Sequence, residues 1–499
     1  MSISLPQALT GRPASAPRDV SRWLVLVLVG LAQFMVVLDA TIVNVALPSI
    51  QRGLNFSTQN LQWVVNGYTL AFGGFLLLGG RAADLFGRQR LFLIGIALFS
   101  AASLLNGLAS SGGVLVAGRA LQGLGGALVS PAALSIITTT FAEGRDRTRA
   151  LGVWSAIAVG GGAVGLLLGG ILTDLVSWQW IFFVNVPVGV AAFALSARYV
   201  PESRSPGLHR GIDIGGAVSI TAGLLVLVYA IVNAQSVGWL SGQTLGLAGV
   251  SAVLLAAFVI IETRHRSPLI RLGILRTRSL AGADLVMLLV AAGMFGMFFF
   301  ASLYVQDVLG YSPLRAGLAF LPVTAGIVTG AGLSQQLIRR AGVRATAMGG
   351  MSLAAAGLLV LSRVPVDGTY LANLLPGLLL MALGMGLTFV PITLIATTNV
   401  DPSDAGLASG LLNTAQQVGG ALGLAILASL AADRTSGALG ALGHAPVAAE
   451  RVTALVSGFQ LAFLIAGCLI ASGVAVLGML VRREHVERID LVSESALAA

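Results

Sequence analysis

The 499-residue chain is 56% hydrophobic and only 10% charged, against about a quarter charged in an ordinary soluble domain, which excludes a water-soluble globular protein. Its net charge of +9 would suggest a nucleic-acid partner in a soluble protein, but the basic residues fall in short connections between apolar runs, where they set membrane topology instead. All of those basic residues are arginine, so a lysine-dependent nucleotide loop is excluded, and the lone Cys468 leaves no disulfide or metal framework.

Residues 1–21, rich in Pro, Ser and Ala, are expected to be disordered. The next apolar run is too long for a signal-peptide core and is read as the first membrane span. Runs of about 20 apolar residues, the length that crosses about 30 Å of hydrocarbon, follow throughout the chain. The first six are predicted at 23–47, 61–80, 91–110, 113–138, 149–172 and 179–198. Two more lie at 213–233 and 243–262, and a last six at 279–306, 315–338, 342–362, 370–395, 405–432 and 456–481. Strand-like alternation is absent, so the fold class is an all-α membrane protein of about fourteen helices.

Arginines cluster after the even-numbered spans: Arg81, Arg88 and Arg90; Arg145, Arg147 and Arg149; Arg204 and Arg210; Arg264, Arg266, Arg271, Arg276 and Arg278; Arg339, Arg340 and Arg344. The tail adds Arg482, Arg483 and Arg488. Arginine-rich connections face the cytoplasm, so both termini are expected there. The expected organisation is an N-terminal bundle at 22–200, two inserted helices with flanking loops at 201–278, a C-terminal bundle at 279–482 and a tail at 483–499.

The two six-span blocks share an internal repeat. Gly126 and Pro131 in LGGALVSPAAL match Gly386 and Pro391 in LGMGLTFVPITL at an offset of 260 residues, and Gly161, Gly162 and Gly165 match Gly419, Gly420 and Gly423 at 258. Two related halves suit a transporter that rocks one half against the other around a midplane site.

Two charges inside apolar spans stand out. Asp39, in LDATIVNVALP, lies nine residues before the outer end of span 1, about 14 Å deep at 1.5 Å per residue. Arg119 lies at comparable depth in span 4. Isolated charges at such depth are costly, so a shared cavity or an ion pair is expected, with Asp39 poised to take and release a proton. The loop GRAADLFGRQR, Gly80 to Arg90, offers tight turns at Gly80 and Gly87, while Asp84 can cap the next helix or pair with a guanidinium.

That loop is similar to the loop signature of the major facilitator superfamily, with Gly80, Asp84, Gly87 and Arg88 in place. LVAGRALQGLGGA around Arg119 resembles the family's span 4 signature, and LDATIVNVALP the span 1 signature of its fourteen-helix drug:proton antiporter branch. WQWIFFVNVPVG, YVQDVLGYSPLRAGL and GLASGLLNTAQQVGGALG also resemble that branch, so the likeness covers residues 22–481. The resemblance implies two six-helix bundles plus two extra helices and proton-driven export of lipophilic, often cationic drugs from a bacterial inner membrane. It implies that Asp39 and Arg119 couple to protons and that Gly80, Asp84, Gly87 and Arg88 form a cytoplasmic gate. The expected partners are a small-molecule substrate, protons and the lipid bilayer, without nucleic acid, cofactor or metal.

Two departures mark this chain. In span 5, Gly161, Gly165, Gly169 and Gly170 keep the spacing for close helix packing, but Leu166 stands where the antiporter signature has proline. The missing kink source leaves room for a proton symporter or uniporter of a metabolite. In the second half, aligning Gly342 with Gly87 puts Arg339 where Asp84 stands, so a second gate would not be a copy. Further cavity candidates are Gln33, Asn44, Asn66, Tyr68, Gln306, Asn413, Gln416 and Gln417, with Trp63, Tyr304 and Phe389 as rings on which a flat substrate could stack. Asp284 and Asp307 lie near opposite ends of span 9 and are expected at the interfaces, Asp284 the deeper. His209, His265, His444 and His485 fall in connections or the tail, and no pattern of residues points to an enzyme. A non-transporting membrane sensor or scaffold would account for the helices but not for Asp39, Arg119 and the repeat.

Overall fold

A computed structural model describes residues 21–141, 145–204, 213–265, 268–397, 400 and 404–481. The expected disordered segment before Ser21, the tail from Arg482 onward, and Arg210, Arg266, His209 and His485 lie outside the described residues.

Among the described residues, thirteen helices are long and apolar enough to cross a membrane. In chain order they are α1 (Arg22–Leu54), α2 (Thr58–Phe86), α3 (Arg88–Gly107), α4 (Gly112–Thr140), α6 (Trp180–Tyr199), α7 (Ile214–Val237), α8 (Gly242–Arg264), α9 (Arg278–Val308), α10 (Pro313–Ala341), α11 (Val343–Leu361), α12 (Tyr370–Thr397), α13 (Ala405–Gly440) and α14 (Ala448–Leu480). The remaining long helix, α5 (Arg145–Leu175), carries a shorter apolar stretch, Gly160–Leu175. An even number of crossings brings the start of α1 and the end of α14 to the same end of the molecule, here the terminal end; the opposite end is the far end.

Helices α1–α6 pack together as one bundle and α9–α14 as a second. The repeat seen in the sequence is carried by small residues. In the first half a Cβ at Gly165 would lie 2.9 Å from the Leu38 carbonyl and one at Gly169 would lie 2.7 Å from the Ile42 carbonyl, so the glycine stripe of α5 lets α1 approach backbone to backbone. In the second half the stripe of α13 does the same for α9, where a Cβ at Gly419 would lie 2.6 Å from the Leu288 Cα. Gly87 and Gly342, which end α2 and α10, have φ of +118° and +82°, a turn conformation that suits only glycine.

The bundles touch along two seams, α5 with α10 and α2 with α13. Gly170 faces the Pro313 carbonyl, and the Leu166 carbonyl rests against Gly317, closing the α5/α10 seam at the far end. Toward the terminal end, Gly152 on α5 and Gly332 on α10 have nothing within 4 Å. On the α2/α13 seam contact continues toward that end, where a Cβ at Gly410 would lie 2.6 Å from the Leu77 Cδ2. Leu166 is buried, and α5 runs unbroken through it, as expected without a proline.

The inserted pair stands outside both bundles. Helix α7 lies over the α2/α13 seam and α8 packs on α7. Leu224, Val228 and Val232 of α7 form one apolar cluster with Leu70 of α2 and Ala421 and Ala425 of α13.

Helix α1 ends at Leu54 rather than near residue 47, running straight through Pro48. Proline has no N–H for the carbonyl four residues back, here that of Asn44. Ser302 of α9 supplies the missing donor, its Oγ lying 2.6 Å from the Asn44 carbonyl. Helix α13 likewise runs to Gly440, beyond the expected 432.

Candidate functional site

The deepest polar cluster lies within the first bundle. Asp39 on α1 is fully buried, and Arg119 on α4 is 1% exposed. The Arg119 guanidinium donates to Asp39 Oδ2 at 2.5 Å, to the Gln122 amide oxygen at 2.7 Å and, through Nε, to the Val64 carbonyl at 2.9 Å. Gln122, one turn along α4, donates back to Asp39 Oδ1 at 2.6 Å and to Ser103 Oγ of α3 at 2.8 Å. Asn185 on α6 donates to Asp39 Oδ1 at 3.0 Å, and Asn106 on α3 donates to the Gln122 oxygen at 2.8 Å. Three helices thus meet at the carboxylate itself, and α2 and α3 join the network through Arg119 and Gln122.

The chemistry explains the arrangement. A carboxylate and a guanidinium taken out of water each lose several kcal/mol of hydration, which their attraction offsets only when the remaining hydrogen-bonding positions are also filled. Here both carboxylate oxygens are occupied by donors and the guanidinium also lies over the Tyr68 ring, 4.4 Å from its centroid, with Phe182 at 5.8 Å. In this state the acid is paired and sealed. Protonating Asp39 would remove the charge that holds Arg119.

The structure brings the two expected charges into direct contact. It adds Gln122, Asn185, Ser103 and Asn106, which were not singled out from the sequence, although Gln122 and Asn185 sit inside recognisable motifs. Tyr68, an expected cavity residue, is buried beneath Arg119 instead.

The other expected cavity residues divide. Gln306 is buried and donates to the Val45 carbonyl at 2.9 Å and to Ser302 Oγ at 3.2 Å, so it closes the far end between α9 and α1. Asn44 joins that closure through its backbone carbonyl, while its side chain bonds only within α1. Tyr304 is fully buried with its hydroxyl on the Pro365 carbonyl at 2.7 Å, and Trp63 faces Tyr229 of α7 at 6.4 Å. Tyr304 is therefore a packing residue with its ring covered by protein, whereas Trp63 is half-buried. Asn66 is buried and bonds Gln62 one turn away at 3.4 Å. Gln33, Gln416, Gln417 and Phe389 are half-buried and Asn413 is exposed. A Cβ at Gly73 of α2 would lie 2.8 Å from the Gln417 Cβ, so Gln417 sits on the α2/α13 seam.

At the terminal end, Arg88 Nε and a terminal amine bind Asp84 Oδ1 at 3.1 and 2.8 Å. Asp84 therefore pairs with a guanidinium rather than capping α3. The cap comes from Glu202, beyond α6, whose two oxygens accept the Gln89 and Arg90 amides at 3.2 Å each. A Cβ at Gly87 would lie 2.6 Å from that carboxylate, so glycine is needed for contact as well as for φ. Gly80 packs on Pro131 of α4. Groups of three or more metal-ligating side chains do not occur among the described residues.

A family model described as Major Facilitator Superfamily matches residues 29–424. The chain belongs to the Major Facilitator Superfamily. It is a membrane transporter and not an enzyme. Among its relatives is a puromycin resistance protein of Streptomyces alboniger, 44% identical over 84% of this chain and 83% of the relative. A cephamycin export protein of Amycolatopsis lactamdurans is 43% identical over 82% of this chain and 85% of its own length. A tetracenomycin C resistance and export protein of Streptomyces glaucescens is 36% identical over 86% and 79%. The fold matches a bacterial homolog of the human lysosomal transporter Spinster, inward-facing and unoccupied, with a TM-score of 0.63 at 16% identity over 96% of this chain and 99% of that one. It also matches a peptide transporter of the POT family in complex with sulfate, with a TM-score of 0.64 at 16% identity over 91% and 95%.

Proposed function

We propose that this protein is a proton-coupled exporter of lipophilic drugs or antibiotics, working by alternating access between the halves that the sequence divides near residues 200 and 279. The observation that carries the proton coupling is the sealed Asp39–Arg119 pair, an intramembrane acid held by one buried counter-ion. Export is supported by relatives named for resistance and export over more than four-fifths of this chain. The arginine bias supports a cytoplasmic terminal end, where the Gly80–Arg88 loop lies. In a bacterial inner membrane, a proton entering from outside would neutralise Asp39 and free Arg119, and the return to the paired state would reset the cycle.

The test uses everted membrane vesicles with an acidified lumen and a pH-sensitive dye. Adding a transported drug is expected to release luminal protons with the natural sequence. Asp39→Asn is expected to abolish that release while remaining folded in the membrane. Full proton release by the folded variant would remove Asp39 from the coupling, and release with no drug movement would overturn export.

A further inference from the structure

At the terminal end of the inserted pair, two buried acids face one another. Asp213 precedes α7 and caps it, its Oδ1 accepting the Gly216 amide at 2.6 Å. Glu262 stands in the last turn of α8, and its Oε2 accepts the Ile270 amide at 3.0 Å, beyond the end of that helix. The second oxygen of each, Asp213 Oδ2 and Glu262 Oε1, is closed off from solvent with no hydrogen-bond partner among the described residues. Both lie over the same glycine: a Cβ at Gly216 would stand 2.8 Å from the one and 2.9 Å from the other. Two carboxyl groups that have each used one oxygen thus turn the other toward one spot.

The charged groups around them leave that spot unfilled. His265 Nδ1 lies 4.0 Å from Asp213 Oδ2, beyond hydrogen-bond reach. Arg264 at the end of α8 is exposed, and Arg271, in the connection to α9, pairs at 3.2 Å with Asp404 just before α13. On α2, whose Gly74 meets Thr221 of the antiparallel α7, Arg81 comes level with the start of α7 and leaves both oxygens unpartnered.

Adjoining carboxylates in a dry setting are costly when both are ionised, and one proton held between them removes the cost. The start of α7 favours the negative charge on its cap, Asp213, so the proton falls to Glu262, whose Oε1–H can donate to Asp213 Oδ2. Its loss to water leaves two negative charges opposed. What they would loosen is defined by the contacts of Glu262. It holds Ile270 of the connection 268–277, whose Leu269, Leu272 and Ile274 lie against the large apolar core and whose Arg271 reaches the start of α13.

We propose that Asp213 and Glu262 hold one proton between them, a second proton site in this protein, and that the shared proton clamps the inserted pair to the second bundle at the terminal end. At low pH the clamp is closed. As pH rises at that end and the proton leaves, the acids repel and the connection 268–277 loosens. The clamp does not depend on what the protein transports.

Hydrogen–deuterium exchange of the full-length protein in lipid nanodiscs, from about pH 5 to about pH 9, reads the connection directly. Exchange of segment 268–277, divided by its intrinsic rate at each pH, is expected to stay level at low pH and then to rise at least about tenfold in one step. Glu262→Gln puts an amide donor in place of the carboxyl hydrogen, and Asp213→Asn keeps the cap without the charge; each is expected to abolish the step. His265→Gln is expected to keep it. So is Asp404→Asn, which frees Arg271 and raises exchange at every pH. A natural protein without the step, a step that survives in folded Glu262→Gln or Asp213→Asn, or one that vanishes in His265→Gln would overturn the proposal. If neither acid variant folds, infrared titration of the natural protein decides: a protonated-carboxyl absorption is expected to fade over the pH interval of the step, and a step without that fading would overturn the shared proton.

Discussion

At the scale of single residues, Gln122 does the most for the Asp39 site after the charges themselves. Its amide nitrogen serves Asp39 and Ser103, and its amide oxygen serves Arg119 and Asn106, so one side chain fills four bonding positions. Gln122→Leu would leave those groups short of partners in a dry environment, where each unmet group costs about 1–3 kcal/mol. The expected result is a loss of at least about 2 kcal/mol of stability and slower drug-driven proton release. Asn185→Leu removes only one bond, of 3.0 Å, and is expected to do less on both counts. Thermal unfolding of the purified variants and the vesicle assay test this order, and an Asn185 effect equal to or larger than that of Gln122 would show that the network is not divided this way. The sequence made the two charges legible because a charge among apolar residues is conspicuous. Neutral amides and hydroxyls are ordinary in membrane helices, and what turns Gln122 and Asn185 toward Asp39 is the rotation of α4 and α6 about their axes. No apolar periodicity reports that rotation when lipid and protein interior are equally greasy.

At the scale of helices, α1 and α9 show how a local rule is overridden by a distant partner. Pro48 reads as a helix end, because it leaves the Asn44 carbonyl unpaired and proline usually stops a helix. The helix continues since Ser302 and Gln306 reach over from the other bundle to the Asn44 and Val45 carbonyls, a contact that 258 residues of intervening chain hide from any local reading. The same distance explains why Gln306 looked like a cavity residue and Tyr304 like a stacking platform: both are polar or aromatic in a span, and only the fold shows what covers them. Because the proline-freed carbonyl is satisfied only while the far end is closed, those two donors hold the closure. The double change Ser302→Ala with Gln306→Leu is expected to cost the closed state about 1–3 kcal/mol, shifting the balance toward far-end opening. Spin labels on cysteines introduced at Arg52 and Arg315, with Cys468 replaced, should then show a new long-distance population by electron-spin resonance. A distance distribution identical to that of the unaltered pair would mean the two bonds do not hold the far end.

At the scale of the whole molecule, the count of helices, the two halves and the inserted pair were legible from run lengths and from the glycine and proline repeat, whereas the place of the pair was not, since α7 and α8 carry little besides apolar residues. The structure lays α7 over the α2/α13 seam, bound to both halves. On the α2 side Tyr229 meets Trp63 at 6.4 Å and Gln59 donates to the Val232 carbonyl; on the α13 side Ser429 donates to the Ile231 carbonyl at 3.2 Å and Gln235 to Ser436 at 3.4 Å. Any rocking of one half against the other must therefore slide α7 along at least one of its two neighbours. The tighter contact is with α2, where a Cβ at Gly74 would overlap the Thr221 hydroxyl and lie 3.0 Å from the Thr221 Cβ. Gly74→Ala is accordingly expected to push α7 off α2 and lower export, in the range of about 1–3 kcal/mol of stability for an overpacked contact. Thr221→Gly removes the atoms that the new methyl would strike, so the double variant Gly74→Ala with Thr221→Gly should recover export relative to Gly74→Ala alone. Non-additivity of this sign, measured as drug efflux at equal membrane abundance, is the signature of two residues in contact. Strictly additive losses would place the effect of Gly74 elsewhere and free α7 from any part in the movement of the halves.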